Sequence, residues 1–277
     1  MIKAKKYALK AFSMLLLILG ALIMIAPFVW TLSTSLQGAG KAYRIPPEFF
    51  KPPFMFSNYL RVWNEGNMAR YSLNSAFITG MCIIGVVLSE TVAGYGFAKY
   101  ECKATNILFL AALGTMYVPG TILAVPQYIM WSKLGALDTY IPLILPKFFG
   151  SVGGIFLMRQ SFKAIPNQLY EAAVIDGLHP LKIYYKIYLP LVKPMIATLV
   201  IQSFMGTWNE TFAPLIYITD KNKYPLSIGL LYLRGTYSEN MELLMAASMI
   251  TMLPLLIVYL YAQKYFMNGL VSSGIKG

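Results

Sequence analysis

Six apolar stretches, at 12–36, 74–97, 107–130, 141–162, 195–218 and 243–261, constrain this chain of 277 residues more than any other feature it has. Each is close to the roughly 20 residues that a helix needs to cross a hydrocarbon core about 30 Å thick. No water reaches the backbone there, so every N–H and C=O must be satisfied within one helix or around a closed barrel. The stretches lack the apolar–polar alternation of barrel strands, which leaves helices. A soluble fold is excluded by charge: 12% of the residues are charged, against about 25% in soluble domains. The expected class is therefore all-α, a polytopic membrane protein with six transmembrane helices. The first stretch follows Lys3, Lys5, Lys6 and Lys10 as a secretory signal would. Its length and the lack of a small-residue cleavage site after it favour a retained span.

Basic residues orient the spans. With the amino terminus inside, 13 of the 23 Lys and Arg fall in inner segments, nine fall in outer loops, and Lys147 lies within the fourth stretch. The cluster beside the first span weighs most under the positive-inside rule, so both termini are expected in the cytoplasm of a multi-pass cell-membrane protein. A net charge of +12 does not imply nucleic acid, because the charges are dispersed over loops on both sides. The lipid bilayer, with its anionic headgroups, is the simpler partner. Cys82 and Cys102 are 20 positions apart, about 30 Å along a helix, too far for a disulfide.

Between the fourth and fifth stretches lies EAAVIDGLHPLKIYYKIYLP, 171–190. Ile165 and Pro166 suit a helix start, Asn167 and Glu171 place polar and acidic groups toward its amino end, and Gly177 suits the left-handed residue that closes it. A second short helix is expected to begin at Pro180 and stop before Pro190. Two short helices joined at Asp176, Gly177 and Leu178 make a knob built to dock, with Leu178, Ile183 and Tyr184 as its apolar contacts. The single histidine, His179, reads as a surface residue of that knob.

Charges inside spans are costly and face protein or water, which singles out Glu90, Lys147 and Glu210. Trp208, Asn209 and Glu210 form a polar interruption with an aromatic face on which a sugar ring can stack, which marks them for the substrate pathway. Pro142, Pro146, Lys147 and Gly150 predict a broken fourth helix, while Gly150 and Gly154 form a small-residue pair suited to close helix packing. The chain has no G-x-x-x-x-G-K-[ST] phosphate loop, H-E-x-x-H or G-x-S-x-G, so it carries no recognisable nucleotide, metal or nucleophile motif.

Glu171-Ala172-Ala173, Asp176-Gly177, Ile187, Leu189-Pro190 and Pro194 resemble the EAA loop of binding-protein-dependent ABC importer permeases. Trp208-Asn209-Glu210, Phe212, Pro214-Leu215, Tyr224-Pro225-Leu226 and Gly229-Leu230 are similar to the carbohydrate branch, in particular the maltose-type second permease. The ending Gly269-Leu270 and Gly274-Ile275-Lys276-Gly277 resembles that subunit's tail. Leu178 and Pro225 depart from the pattern, where a small residue and a threonine are more usual. The resemblance implies a type I importer permease with an amino-terminal helix and outer loop (1–69), a permease core (70–265) containing the cytoplasmic coupling loop (165–194), and a cytoplasmic tail (266–277). It implies a second homologous permease, an ABC ATPase dimer and an extracytoplasmic solute-binding protein as partners. The chain would be no enzyme and hold no cofactor, ATP and Mg being used by the ATPase. In the family the partner permease supplies most sugar contacts, which would leave Asn209 and Glu210 to serve the gate instead; the outer loop 219–242 engages the binding protein, and the tail reaches the ATPase interface. Glu171, Ala172, Ala173, Asp176, Gly177, Leu178, Leu189 and Pro190 would carry the coupling. The cargo would be a sugar or oligosaccharide, with a non-sugar or phosphorylated cargo such as glycerol phosphate as the alternative.

Overall fold

A computed structural model describes residues 2–44, 46, 48–100, 102–237 and 239–274. Ile275, Lys276 and Gly277 of the expected tail lie outside the described residues. Among those described there are helices, turns and loops and no strand. Two compact units are formed, one from 1–69 with 229–253 and the other from 70–228 with the stretch after Leu253.

In the first unit, α1 (Ile2–Ser35) presents its apolar side chains outward along most of its length. Its carboxy-terminal end is different: Ser33, Thr34 and Ser35 are buried. A helix end leaves carbonyls without partners, and here α2 (Ser57–Asn64) supplies them. Asn58 Nδ2 donates to the carbonyls of Ser35 and Gln37 at 2.9 Å each, and the Tyr59 and Ser35 hydroxyls share a bond of 2.7 Å.

The second unit is built on α3 (Met68–Lys99). At Gly85 and Gly94 an added Cβ would meet the Phe148 ring at 2.8 Å and Met158 Cβ at 2.5 Å, so this helix lies close against the fourth apolar stretch. The third stretch is broken. Helix α4 (Lys103–Thr115) and the pair formed by a 3-10 turn, Gly120–Leu123, with α5 (Ala124–Lys133) diverge by 88°. The single helix expected over 107–130 therefore does not form: Pro119 lacks an N–H and disfavours helical backbone at Val118, and Pro119 itself is extended. The fourth stretch breaks as expected. Short α6 (Ile141–Ile144) passes into a 3-10 turn, Leu145–Phe149, and Gly150 at φ +74° separates this from α7 (Val152–Lys163).

Next come α8 (Asn167–Ile175), α9 (Pro180–Ile183) and α10 (Leu189–Leu191). The winding does not stop before Pro190. It widens to a π-turn over Tyr184–Tyr188, in which Leu189 N–H reaches back to the Tyr184 carbonyl. That wider turn accommodates a proline whose ring would otherwise strike the carbonyl four residues earlier. Helix α11 (Lys193–Trp208) leaves this segment at 79° and ends at Asn209, so the fifth stretch is also divided, resuming as α12 (Phe212–Tyr217). The last helices are α13 (Leu226–Thr236) and α14 (Met241–Gly274). Four helices are long and apolar enough to cross a membrane, or up to six if each bent pair is one span.

Two apolar clusters hold the second unit. Tyr95, Met158, Phe162, Ala173, Ile183 and Tyr188 form one beneath the α8–α10 segment. Ile78, Cys82, Trp131, Leu143 and Tyr217 form the other.

Candidate functional site

The elbow at 171–190 is closed by hydrogen bonds that its glycine makes possible. Gly177, at φ +74°, donates to the Val174 carbonyl and Leu178 donates to that of Ala173, each at 3.0 Å. This is the Schellman arrangement, in which the residue after the left-handed position packs against the last turn. Leu178 does so, half-buried over buried Ala173. His179 is exposed and starts α9, its Nδ1 accepting from Leu181 N–H at 3.3 Å.

Burial divides the elbow into an inner and an outer side. Ile183 is fully buried, and the rings of Tyr184 and Tyr188 lie 5.1 and 5.4 Å from Tyr95. Leu178, Ile183 and Tyr184, expected as outward docking contacts, instead anchor the elbow to α3 and α7. Apolar character marked these residues as contacts without telling the inner side of the elbow from the outer. Lys99 strengthens the anchor, its Nζ 2.9 Å from Asn167 Oδ1 and 4.7 Å from the Tyr188 ring centre. Glu171, Ala172, Asp176, Gly177 and Pro190 are exposed and Leu189 is half-buried. The outward apolar residues are Val174, Ile175, Leu181 and Tyr185, of which Ile175 is 85% exposed.

Of the three charges expected inside spans, Glu90 is buried. Its Oε1 accepts from the N–H and hydroxyl of Ser151 at 2.9 and 2.7 Å, and Ser151 Oγ in turn caps α7 by accepting from Gly154 N–H at 3.1 Å. A carboxylate beside a helix amino terminus is stabilised by the N–H groups and dipole there. A Cβ on Gly154 would fall within the Glu90 carboxylate. Gly154 therefore makes room for a side chain from α3, a close approach that its spacing from Gly150 did not reveal.

Lys147 and Glu210 line a cavity of about 820 Å³, together with Trp131, Tyr217, Gln127 and Thr79. A smaller cavity of about 380 Å³ is lined by Glu90, Ser151, Gln202 and Ser203, and it shares Pro146, Lys147, Gly206 and Thr207 with the first. Among the described residues the hydroxyls of Thr79 and Ser203 are buried without a hydrogen-bond partner. Trp208 and Asn209 are not part of either wall. Trp208 is buried with its indole stacked on Phe204 at 5.3 Å, and Asn209 Nδ2 donates to the Met205 carbonyl. Glu210 caps α12 through the N–H groups of Phe212 and Ala213. The aromatic lining comes from Trp131, Tyr217, Phe149 and Phe212, residues that sequence alone gave no reason to group.

Asp138, also unforeseen, fixes the loop after α12. Its Oδ1 accepts from the N–H groups of Thr219 and Asp220 at 3.0 and 2.9 Å, and Lys223 Nζ lies 3.0 Å from Oδ2. The Asp220 and Thr219 N–H groups, then the Lys223 ammonium, hold its carboxyl well below the usual carboxylate range.

The model of the binding-protein-dependent transport system inner membrane component family matches residues 90–271. The arabinooligosaccharides transport system permease protein AraQ of Bacillus subtilis (strain 168) is 30% identical over 98% of this chain and 96% of its own. The diacetylchitobiose uptake system permease protein NgcG of Streptomyces coelicolor is 30% identical over 95% and 88%. In fold the chain is similar to one in the crystal structure of a bacterial ABC transporter involved in the import of the acidic polysaccharide alginate, with a TM-score of 0.83, 24% identity and coverage of 95% and 98%. With an all-helical, multi-span architecture and a family match over most of its length, this chain belongs to the binding-protein-dependent transport system inner membrane components.

Proposed function

We propose that the chain is one of two homologous permeases of an ATP-driven importer for a sugar or oligosaccharide. It forms half of the translocation pathway and receives force from an ABC ATPase dimer through the elbow at Gly177. The observation that carries this reading is the two-sided elbow: inner rings clamp it to α3 and α7, while Ile175 and Leu181 stand 85% and 65% exposed on its outer side. Exposed apolar groups rimmed by charge mark a docking surface, and Glu171, Asp176 and Lys182 supply the charge. The ATPase binds ATP and Mg, this chain holding neither, and a solute-binding protein delivers cargo from outside to the loop 219–242. The elbow and both termini face the cytoplasm. Lys147, Glu210 and Glu90 belong to the pathway and its surroundings, while Trp208 and Asn209 support the gate from behind. The saccharide names of the relatives favour a sugar over glycerol phosphate, and the aromatic and hydroxyl lining of the larger cavity suits such a cargo.

Purification of the chain from membranes in mild detergent should recover a second permease and an ATPase, and that complex alone should hydrolyse ATP. Within it, Gly177→Val should abolish uptake at a normal membrane level of the protein, since a β-branched residue disfavours left-handed backbone and would crowd the receiving cleft. Glu171→Ala should be milder, the loss of one charge-assisted contact of about 1.5–3 kcal/mol. Normal uptake by Gly177→Val in an intact complex would assign coupling to another element.

A further inference from the structure

Three consecutive residues of α3, Ser89, Glu90 and Thr91, reach two other parts of the chain. Ser89 Oγ has the carbonyls of Gly85 and Lys147 within reach of its one proton, at 2.7 and 3.0 Å. Glu90 Oε1 holds the Ser151 N–H and hydroxyl. Thr91 Oγ1 lies 2.5 Å from the Val87 carbonyl and 2.7 Å from the Tyr184 hydroxyl. Its one proton goes to that carbonyl, so the phenol of Tyr184 donates. Glu90 and Thr91 are 2% and 1% exposed. Successive helical side chains point about 100° apart, which lets one turn of α3 face the elbow through Thr91 and the broken fourth stretch through Glu90 and Ser89. Lys147, at that break, lines both cavities.

We propose that Ser89-Glu90-Thr91 is a relay that carries displacement of the elbow, received at Tyr184, to the Lys147–Ser151 break beside the two cavities. Its members are positioning residues for import. Two features make the triplet a transmitter rather than one more packed turn. Each contact is polar and directional, so that a shift of Tyr184 redirects Thr91 and not merely its neighbourhood. The receiving end has little slack: Gly150 is left-handed at φ +74°, and the Glu90 carboxylate fills the space a Cβ on Gly154 would take. The inference rests on the elbow being the ATPase contact, and the two ideas fail differently.

The test uses the complete importer, with its second permease, ATPase and binding protein, in proteoliposomes. Tyr184→Phe and Thr91→Val each delete one hydroxyl and little volume. Each should lower cargo imported per ATP hydrolysed at least threefold while the hydrolysis rate stays within twofold of the parent. The double variant should be no worse than the stronger single one, because both remove one contact. Ile175→Glu, on the outer face, should instead release the ATPase and lose hydrolysis and import together. A coupling ratio unchanged in both hydroxyl variants overturns the relay, as does a double variant whose loss is the product of the singles. An importer unaffected by Ile175→Glu overturns the elbow reading and with it the relay's input, whereas normal coupling in the hydroxyl variants beside a disabled Ile175→Glu overturns the relay alone. For the unmutated complex, adding ATP should change hydrogen exchange at the Ser151 and Gly154 amides, and Tyr184→Phe should abolish that change. Exchange there that ignores ATP also overturns the relay.

Discussion

Gly154 and Gly177 are both demanded by the structure, for opposite reasons. At Gly177 nothing lies within 4 Å of an added Cβ, and the constraint is the backbone at φ +74°. At Gly154 the backbone is ordinary helix and the constraint is space. Gly177→Ala should therefore cost only the left-handed penalty, about 1–2 kcal/mol, at an exposed elbow. Gly154→Ala forces the Glu90 carboxylate away from Ser151, adding the loss of charge-assisted bonds, about 1.5–3 kcal/mol, to overpacking of about 1–3 kcal/mol. Thermal unfolding of the detergent-purified complex should show a clear drop for Gly154→Ala and a small one for Gly177→Ala; equal unfolding temperatures would mean that Glu90 withdraws freely. Gly177 was legible in the sequence because a helix ending in Asp-Gly needs a left-handed residue nearby in the chain. Gly154 was visible only as half of a small-residue pair, because the carboxylate it accommodates comes from 64 positions earlier and sequence spacing carries no trace of it.

At the level of elements, apolar content located the stretches and missed the bends. A hydropathy window averages across Pro119 and Gly120, so 107–130 read as one helix although those two residues divide it by 88°. The fourth stretch was different: Pro142, Pro146 and Gly150 cluster tightly enough to announce a break, and one occurs at Gly150. What fixes the loop at 217–224 carried no signal, for Asp138 is an unremarkable turn residue until Thr219, Asp220 and Lys223 surround it. Its lowered carboxyl pKa has a definite sign. A depressed folded value means that the stabilisation is present above the unfolded value of about 3.9 and is lost only as pH falls through the lower folded value. Amide protection at Thr219 and Asp220 should therefore hold from pH 7 to pH 5. Asp138→Asn tolerates the left-handed backbone at φ +57° but removes the charge, and should weaken protection at both pH values alike. Because Asp138 and Lys223 side chains are 35% and 41% exposed, screening limits the effect to about 1 kcal/mol, a few-fold in exchange rate. Protection in the parent that already collapses at pH 5 would show that Asp138 does not hold the loop.

For the whole molecule the bends decide which side of the membrane the elbow occupies. If only the four long helices cross, the chain crosses at 9–35, 68–99, 141–163 and 241–263. With the amino terminus inside, everything between Lys163 and Met241 then lies outside, elbow and outer loop together. If each bent pair also crosses, 134–140 and 209–240 lie outside, and the elbow turn at 176–178 returns to the cytoplasm with Lys182 at the cytoplasmic end of the pair 180–208. Counted over the six apolar stretches read from the sequence, basic residues divide 13 inside to nine outside, a bias that orients a chain without counting its spans. Single cysteines in a background lacking Cys82 and Cys102 separate the two. With six spans, Lys3→Cys and Lys182→Cys should be silent to a membrane-impermeant thiol reagent in intact cells and react once the membrane is opened, whereas Lys133→Cys and Asn222→Cys should react from the start. With four, Lys182→Cys would react from outside and Lys133→Cys would not, while Lys3→Cys and Asn222→Cys would be unchanged. Lys182 and Lys133 therefore carry the decision. Labelling of Lys182→Cys in intact cells would place the elbow beyond the reach of any cytoplasmic ATPase, whatever its resemblance to a coupling loop.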